Sequence, residues 1–189
     1  MKILLTGATG KIGQVIARRL IEARADLVLH YHSSPPPDGR FVFQADFFRV
    51  SEVQRLVSAA SIALGGLDVM IHAASIFERK PWNEVREADW DRMLAVDLRA
   101  AFFLAQAAAE QMKERGGKMI FFSDAAATDP YPSYLPYCVA KAGVDSLAKG
   151  LAKVVAPNIT VHVIAPRGRN EQTEKIAEDV ARIINVHHL

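Results

Sequence analysis

Tyr137 and Lys141 stand four residues apart in Tyr137-Cys138-Val139-Ala140-Lys141. On a helix that spacing puts a phenol and an ammonium on one face, one turn apart. A phenol with a pKa near ~10 is a poor acid at neutral pH. A neighbouring ammonium favours the ionised form and lowers that value. Such a tyrosine can exchange a proton with a substrate while a hydride moves to or from a nicotinamide ring. The bare spacing recurs by chance, so its weight comes from its place: it follows a strand and a loop, well downstream of a nucleotide-type turn. Cys138, beside the tyrosine, reads as buried filler rather than a nucleophile.

That turn is Thr6-Gly7-Ala8-Thr9-Gly10-Lys11-Ile12-Gly13. Glycine lets a backbone turn sharply and approach a pyrophosphate. The helix that follows offers free N–H groups and a partial positive charge to the anion. At the end of the second apolar run lies His30-Tyr31-His32-Ser33-Ser34. An NAD-preferring site usually places an acid there for the ribose 2′-hydroxyl. Here imidazoles and hydroxyls can donate to a 2′-phosphate instead, which favours NADP(H); the other reading is an ordinary polar strand end. Asp46 follows the third run, where it would meet an adenine or simply close a turn.

These groups need a scaffold that carries them to one edge. Short apolar runs over residues 3–5, 27–29, 41–43, 69–71, 119–122 and 161–164 read as buried strands. Helical periodicity covers residues 12–23, 53–63, 90–115, 137–155 and 172–184. Strand alternating with helix predicts one α/β domain over residues 1–189, a doubly wound parallel sheet of the Rossmann type. Ligands in such sheets lie at the carboxyl ends of the strands. Ala73, Ala74 and Ser75 after the fourth run, and Pro166 after the sixth, are therefore expected along the cofactor. Pro35-Pro36-Pro37-Asp38-Gly39 reads as a loop.

The chain has 189 residues, half of them hydrophobic, with 23 Lys+Arg against 21 Asp+Glu. That balance gives no reason to expect nucleic acid or an anionic membrane as partner. No apolar run approaches the ~20 residues that span a bilayer. With one cysteine, no internal disulfide and no signal-peptide pattern at Met1, the expectation is a cytoplasmic protein. His72 has no second ligand at a metal-binding spacing, so no metal is expected. Exposed edges of an open sheet favour a homo-oligomer.

The Thr-Gly-rich loop, the Tyr-x-x-x-Lys helix and the strand order resemble the short-chain dehydrogenase/reductase family from Met1 to about Pro166. That family commonly pairs the tyrosine with a serine thirteen positions upstream, and this position is Asp124. Ser123 is adjacent but should point the other way. An aspartate here resembles the pteridine reductase branch. Lys11 in the glycine loop, the His30-Tyr31-His32 segment, and Ala74-Ser75-Ile76-Phe77 agree with that branch. The resemblance implies NADP(H) as cofactor, Asp124, Tyr137 and Lys141 as the catalytic set, and Lys11, Ser75, Phe77, Asp124 and Tyr137 around a pterin-like substrate. A carboxylate suits an edge rich in N–H donors, and Phe77 suits a flat ring. Asp124 as a loop cap and Phe77 as core are the plainer readings.

The chain also departs from the family. His72-Ala73-Ala74 replaces the usual Asn-Asn-Ala, Asp97 stands where many members have asparagine, and Pro166-Arg167-Gly168 replaces Pro-Gly. A carboxylate at Asp97 is expected to hold a water near Lys141. The segment after Pro166 is short, so the usual substrate lid and last strand are expected to be lacking, or else omitted from the sequence. The alternatives are a general carbonyl reductase, a catalytically impaired NADP-binding sensor module, and the epimerase-like branch, whose glycine spacing fits but whose substrate domain is larger.

Overall fold

A computed structural model describes residues 1–166 and 173–185. Each of the six predicted apolar runs forms a strand: β1 (Lys2–Thr6), β2 (Asp26–Tyr31), β3 (Phe41–Gln44), β4 (Val69–His72), β5 (Gly117–Phe122) and β6 (Ile159–Ile164). All pairs are parallel, in the order β3-β2-β1-β4-β5-β6. The chain winds outward from β1 to β3, then returns to β4 and winds the other way. The direction switches between β1 and β4, and the crevice opens at their carboxyl ends.

Side chains alternate across the sheet because the strand period is two. Leu4, Val28, Met70, Met119 and Phe121 face α2 (Val50–Leu64), α4 (Ala100–Met112) and α5 (Leu135–Val154). Ile3, Leu5, Leu29, Ile71, Ile120 and Phe122 face α1 (Lys11–Glu22) and α6 (Thr173–Ile184). With both faces covered, the central strands read as unbroken apolar runs. α6 is tied to α1 by Glu174, which accepts from Arg19 Nη2 at 2.8 Å and pairs with Arg18.

One predicted helix is three pieces. Periodicity over residues 90–115 is filled by α3 (Glu87–Leu94), a π turn (Ala95–Arg99) and α4 (Ala100–Met112). α3 starts earlier because Asp89 accepts the Arg86 backbone N–H at 2.9 Å, closing a capping box. The π turn carries an extra residue, a feature that gathers at functional sites; Asp97, in that turn, is buried. α5 (Leu135–Val154) carries Tyr137 and Lys141. A last strand is not found among the described residues. The segment expected to lack a lid, residues 167–172, lies outside them.

Candidate active site

The crevice holds two adjoining cavities of about 420 and about 520 Å3, which share Gly10, Ala73 and Ser75 as lining. The first lies against β1, β2 and β3. Gly7 has φ +68°, and an added Cβ would sit 2.5 Å from the Ala74 backbone. A Cβ on Gly13 would sit 2.0 Å from the Gly7 carbonyl oxygen, so only glycine lets α1 approach the strand end this closely. Gly10 caps α1 in an extended conformation with no side-chain hydrogen bond. First-turn N–H groups of α1 are thus left without a side-chain cap, the arrangement that suits a pyrophosphate.

His30 corrects an expectation. It forms part of the first cavity's wall but is 2 % exposed, and both ring nitrogens are used internally. Nδ1 accepts the Gly7 N–H at 3.1 Å, so Nε2 carries the proton and donates to the Ala45 carbonyl at 3.0 Å. The ring stacks on Phe47 with centroids 4.2 Å apart. Burial lowers its pKa to about 4. His30 braces the glycine loop from beneath instead of offering a donor to a 2′-phosphate.

Of the remaining segment, His32 lines the cavity, with Nδ1 2.9 Å from Ser33 Oγ. Tyr31, Ser33, Ser34 and Gly13 line neither cavity. Thr9, Asp46 and Ala74 border the first, and Asp46 is held by Phe48 N–H, which donates to Oδ1 at 3.0 Å. Phe47 and Phe48 also border it; the Asp46-Phe47-Phe48 sequence after β3 is the signal that would have found them.

The second cavity gathers all five residues expected around a substrate: Lys11, Ser75, Phe77, Asp124 and Tyr137. Ile12, Lys141 and Pro166 border it too. Asp124 makes two kinds of contact. Oδ1 accepts the Ala126 N–H at 2.8 Å and caps a 3-10 turn, Ala125–Ala127. Oδ2 accepts the Tyr137 hydroxyl at 2.9 Å. The Tyr131 hydroxyl reaches Oδ1 at 3.2 Å. Phe77 is 44 % exposed, so it is cavity wall and not core. It stacks on Tyr134 with centroids 4.4 Å apart and meets Tyr137 edge-on at 4.8 Å.

Tyr131 and Tyr134 were not anticipated, although Tyr131-x-x-Tyr134-x-x-Tyr137 is visible in the sequence. Thr173 and Ile176 of α6 close the far side. Ser123 was expected to point away, yet it borders this cavity, buried, with Oγ lacking a hydrogen bond among the described residues.

Two electrostatic expectations change. Lys141 does not wait for a water-bridged Asp97: Nζ lies 3.0 Å from Asp97 Oδ1, and it donates to the Phe122 carbonyl at 3.1 Å. Asp97 also accepts from the Ser75 hydroxyl and from the Ile76 N–H at 2.9 Å. The Tyr137 phenol is pushed up, not down, from its ordinary value. Burial is the largest cause, followed by the charge of Asp124 and its hydrogen bond. The ammonium beside the ring, 5.3 Å from its centroid, is already paired with Asp97.

His72 replaces a family asparagine and bonds Thr6 Oγ1 through Nδ1 at 2.9 Å. Thr6 Oγ1 in turn accepts the Ala74 N–H at 3.4 Å, so the strand exit stays braced. Among the described residues, no group of three or more His, Cys, Asp or Glu could hold a metal ion, and no helix is long and apolar enough to cross a membrane.

A glycine-rich turn at the switch point, joined to a tyrosine–lysine helix, is the geometry on which the sequence resemblance rested. The pattern that describes short chain dehydrogenases matches residues 1–180. The chain belongs to the short-chain dehydrogenase family.

It is an oxidoreductase of that family, whose members use nicotinamide dinucleotides on small-molecule substrates. It is 34% identical over 179 residues to the hydroxynaphthalene reductase-like protein Arp2 of Metarhizium brunneum, covering 87% of this chain and 67% of the relative. It is 33% identical over 175 residues to nodulation protein G of Rhizobium meliloti, covering 87% and 71%. Among solved structures, a short-chain dehydrogenase/reductase from Serratia marcescens is 30% identical with a TM-score of 0.85, covering 96% of this chain and 87% of that one. A Brucella melitensis member reaches a TM-score of 0.88 over the same shares at 23% identity, a likeness of fold alone.

Proposed function

We propose that this short-chain dehydrogenase is an NADP(H)-dependent reductase of a flat, nitrogen-rich bicyclic substrate of the pterin kind. The observation that carries the reading is Asp124, which accepts the Tyr137 hydroxyl at 2.9 Å inside a cavity walled by Phe77 and Tyr134. The cradle of Gly7, Gly10 and Gly13 fits a dinucleotide pyrophosphate. Lack of an acid at the end of β2, with His32 lining the cavity there instead, favours the 2′-phosphorylated form. A bound dihydronicotinamide supplies the hydride.

The chain's own residues do the rest. A substrate edge rich in N–H donors engages the Asp124 carboxylate by charge-assisted hydrogen bonds. With its acceptor occupied, the Tyr137 hydroxyl is released to give its proton to the nitrogen of a C=N bond, while hydride adds to the carbon. A simple ketone has no N–H to place on Asp124 and leaves Tyr137 tied there. Phe77 and Tyr134 supply a flat aromatic wall. Lys141 holds its position between Asp97 and the Phe122 carbonyl.

A second reading is a reductase of planar aromatic carbonyls, favoured by the likeness to the hydroxynaphthalene reductase-like protein Arp2. Purified protein with NADPH and dihydropterins is expected to consume cofactor. Consumption with naphthol-type substrates alone favours the second reading, and NADPH binding without any turnover the sensor alternative. The protein is also proposed to work as a homo-oligomer in a reducing, cytoplasmic setting. An apolar hollow on α3–α5 lined by Leu94, Leu98, Phe102 and Leu147 supports self-association; a monomer by sedimentation contradicts it.

A further inference from the structure

Asp97 is a buried carboxylate paired with Lys141. It is 1 % exposed and lies in the π turn between α3 and α4. Its Oδ1 is 3.0 Å from Lys141 Nζ. Its other contacts, the Ser75 hydroxyl and the Ile76 N–H, belong to the segment after β4 that borders both cavities. A buried carboxylate and ammonium this close are held as a pair, because losing one partner strands the other's charge.

We propose that Asp97 is a positioning residue that takes up the charge of Lys141 and so keeps the Tyr137 hydroxyl a proton donor, committing the site to reduction at neutral pH. This rests on the reductase reading above. The groups that face the phenol are Asp124 from the 3-10 turn, Tyr131 from the following loop, Asp97 from the π turn and Lys141 from its own helix. His72 of β4 faces Lys141 in turn, buried and neutral, with His30 beyond it. Two carboxylates and one ammonium thus face the phenol, leaving an excess of negative charge beside it. Negative charge opposes loss of the phenolic proton, and Asp97 is among the causes that raise it. A base that had to take a proton from an alcohol would need the opposite balance. The reductive step needs only the protonated phenol.

Asp97→Asn and Asp97→Ser remove this charge, and Asp97→Glu keeps it. Without this carboxylate, the Lys141 charge is no longer taken up and acts on Tyr137 against Asp124 alone. The alkaline limb of reductive kcat/KM should then move down by about one to two pH units, the size expected for a charge within ~4–6 Å. In Asp97→Glu the limb should stay where the wild type has it. Neutral variants with an unmoved limb, or an equal move in Asp97→Glu, overturn the proposal. A second measurement needs neither turnover nor an Asp97 variant. The ultraviolet phenolate signal of the wild-type apoprotein, less that of Tyr137→Phe, should be absent below about pH 10, the ordinary phenol value. A Tyr137 phenolate appearing near neutral pH overturns the proposal whatever the substrate. A wild type that turns over nothing but shows no such phenolate removes the reductase reading and leaves the charge balance standing.

Discussion

The Tyr137 hydroxyl donates to Asp124 Oδ2 at 2.9 Å, thirteen residues upstream, where the family commonly has a serine. A serine can both give and take a hydrogen bond; an ionised carboxylate only accepts. Asp124→Ser should therefore lose kcat/KM on an N–H-rich bicycle by about ten- to hundredfold, the worth of one charge-assisted hydrogen bond. It should lose little, or gain, on simple ketones. Steady-state kinetics on both substrate types checks this, and equal losses on both contradict it.

Gly13→Ala tests the cofactor turn. Its new Cβ would overlap the Gly7 carbonyl, 2.0 Å away, and its nearest neighbours are backbone atoms of Gly7 and Ala8, with no flexible side chain to yield. Overpacking of this kind costs about 1–3 kcal/mol. The variant should melt at a lower temperature and bind NADPH at least about tenfold more weakly, since ~1.4 kcal/mol corresponds to a factor of ten. Calorimetric titration reads the affinity.

His32→Asp tests cofactor choice. His32 lines the first cavity, and an acid there would oppose a 2′-phosphate while suiting a 2′-hydroxyl. The ratio of kcat/KM for NADPH over NADH should fall by about tenfold or more, the loss of one hydrogen bond to a charged group. An unchanged ratio removes His32 from phosphate recognition.

Stability should fall in acid because two histidines are buried neutral. Burial lowers His30 to about 4 and His72 to about 3. The unfolded chain takes these protons first, near pH 6.5. The stabilisation is complete above that value and is lost progressively as pH falls below it, fully for His30 by about 4 and for His72 by about 3. For His30 alone it is on the order of 3 kcal/mol, at ~1.4 kcal/mol per pH unit. Urea midpoints should decline across this window, and His72→Asn should flatten the decline.

Much of the fold was legible because a doubly wound sheet writes itself as alternating periods. All six strands and the ends of α1, α5 and α6 fall within about two residues of their expected positions. The break inside residues 90–115 was not legible: one extra residue in a π turn leaves the apolar period nearly intact yet turns Asp97 inward. Residue types located the second cavity's five expected side chains, but not partner choice. Whether Lys141 acts on Tyr137 or on Asp97 depends on tertiary distance, and sequence spacing carried only the first. His30 illustrates the same limit. A histidine at a strand end reads as a donor to solvent-side phosphate until Gly7 and Ala45 are seen to hold both its nitrogens.

Replacing the proposed proton donor tests the central claim most directly. NADPH oxidation by Tyr137→Phe, with a dihydropterin that the wild type reduces, should drop by at least about a hundredfold, the usual contribution of a positioned general acid. NADPH affinity, measured by calorimetry, should stay near that of the wild type. Turnover retained in Tyr137→Phe would contradict the account, because the hydride would then be moving without the phenol that Asp124 holds.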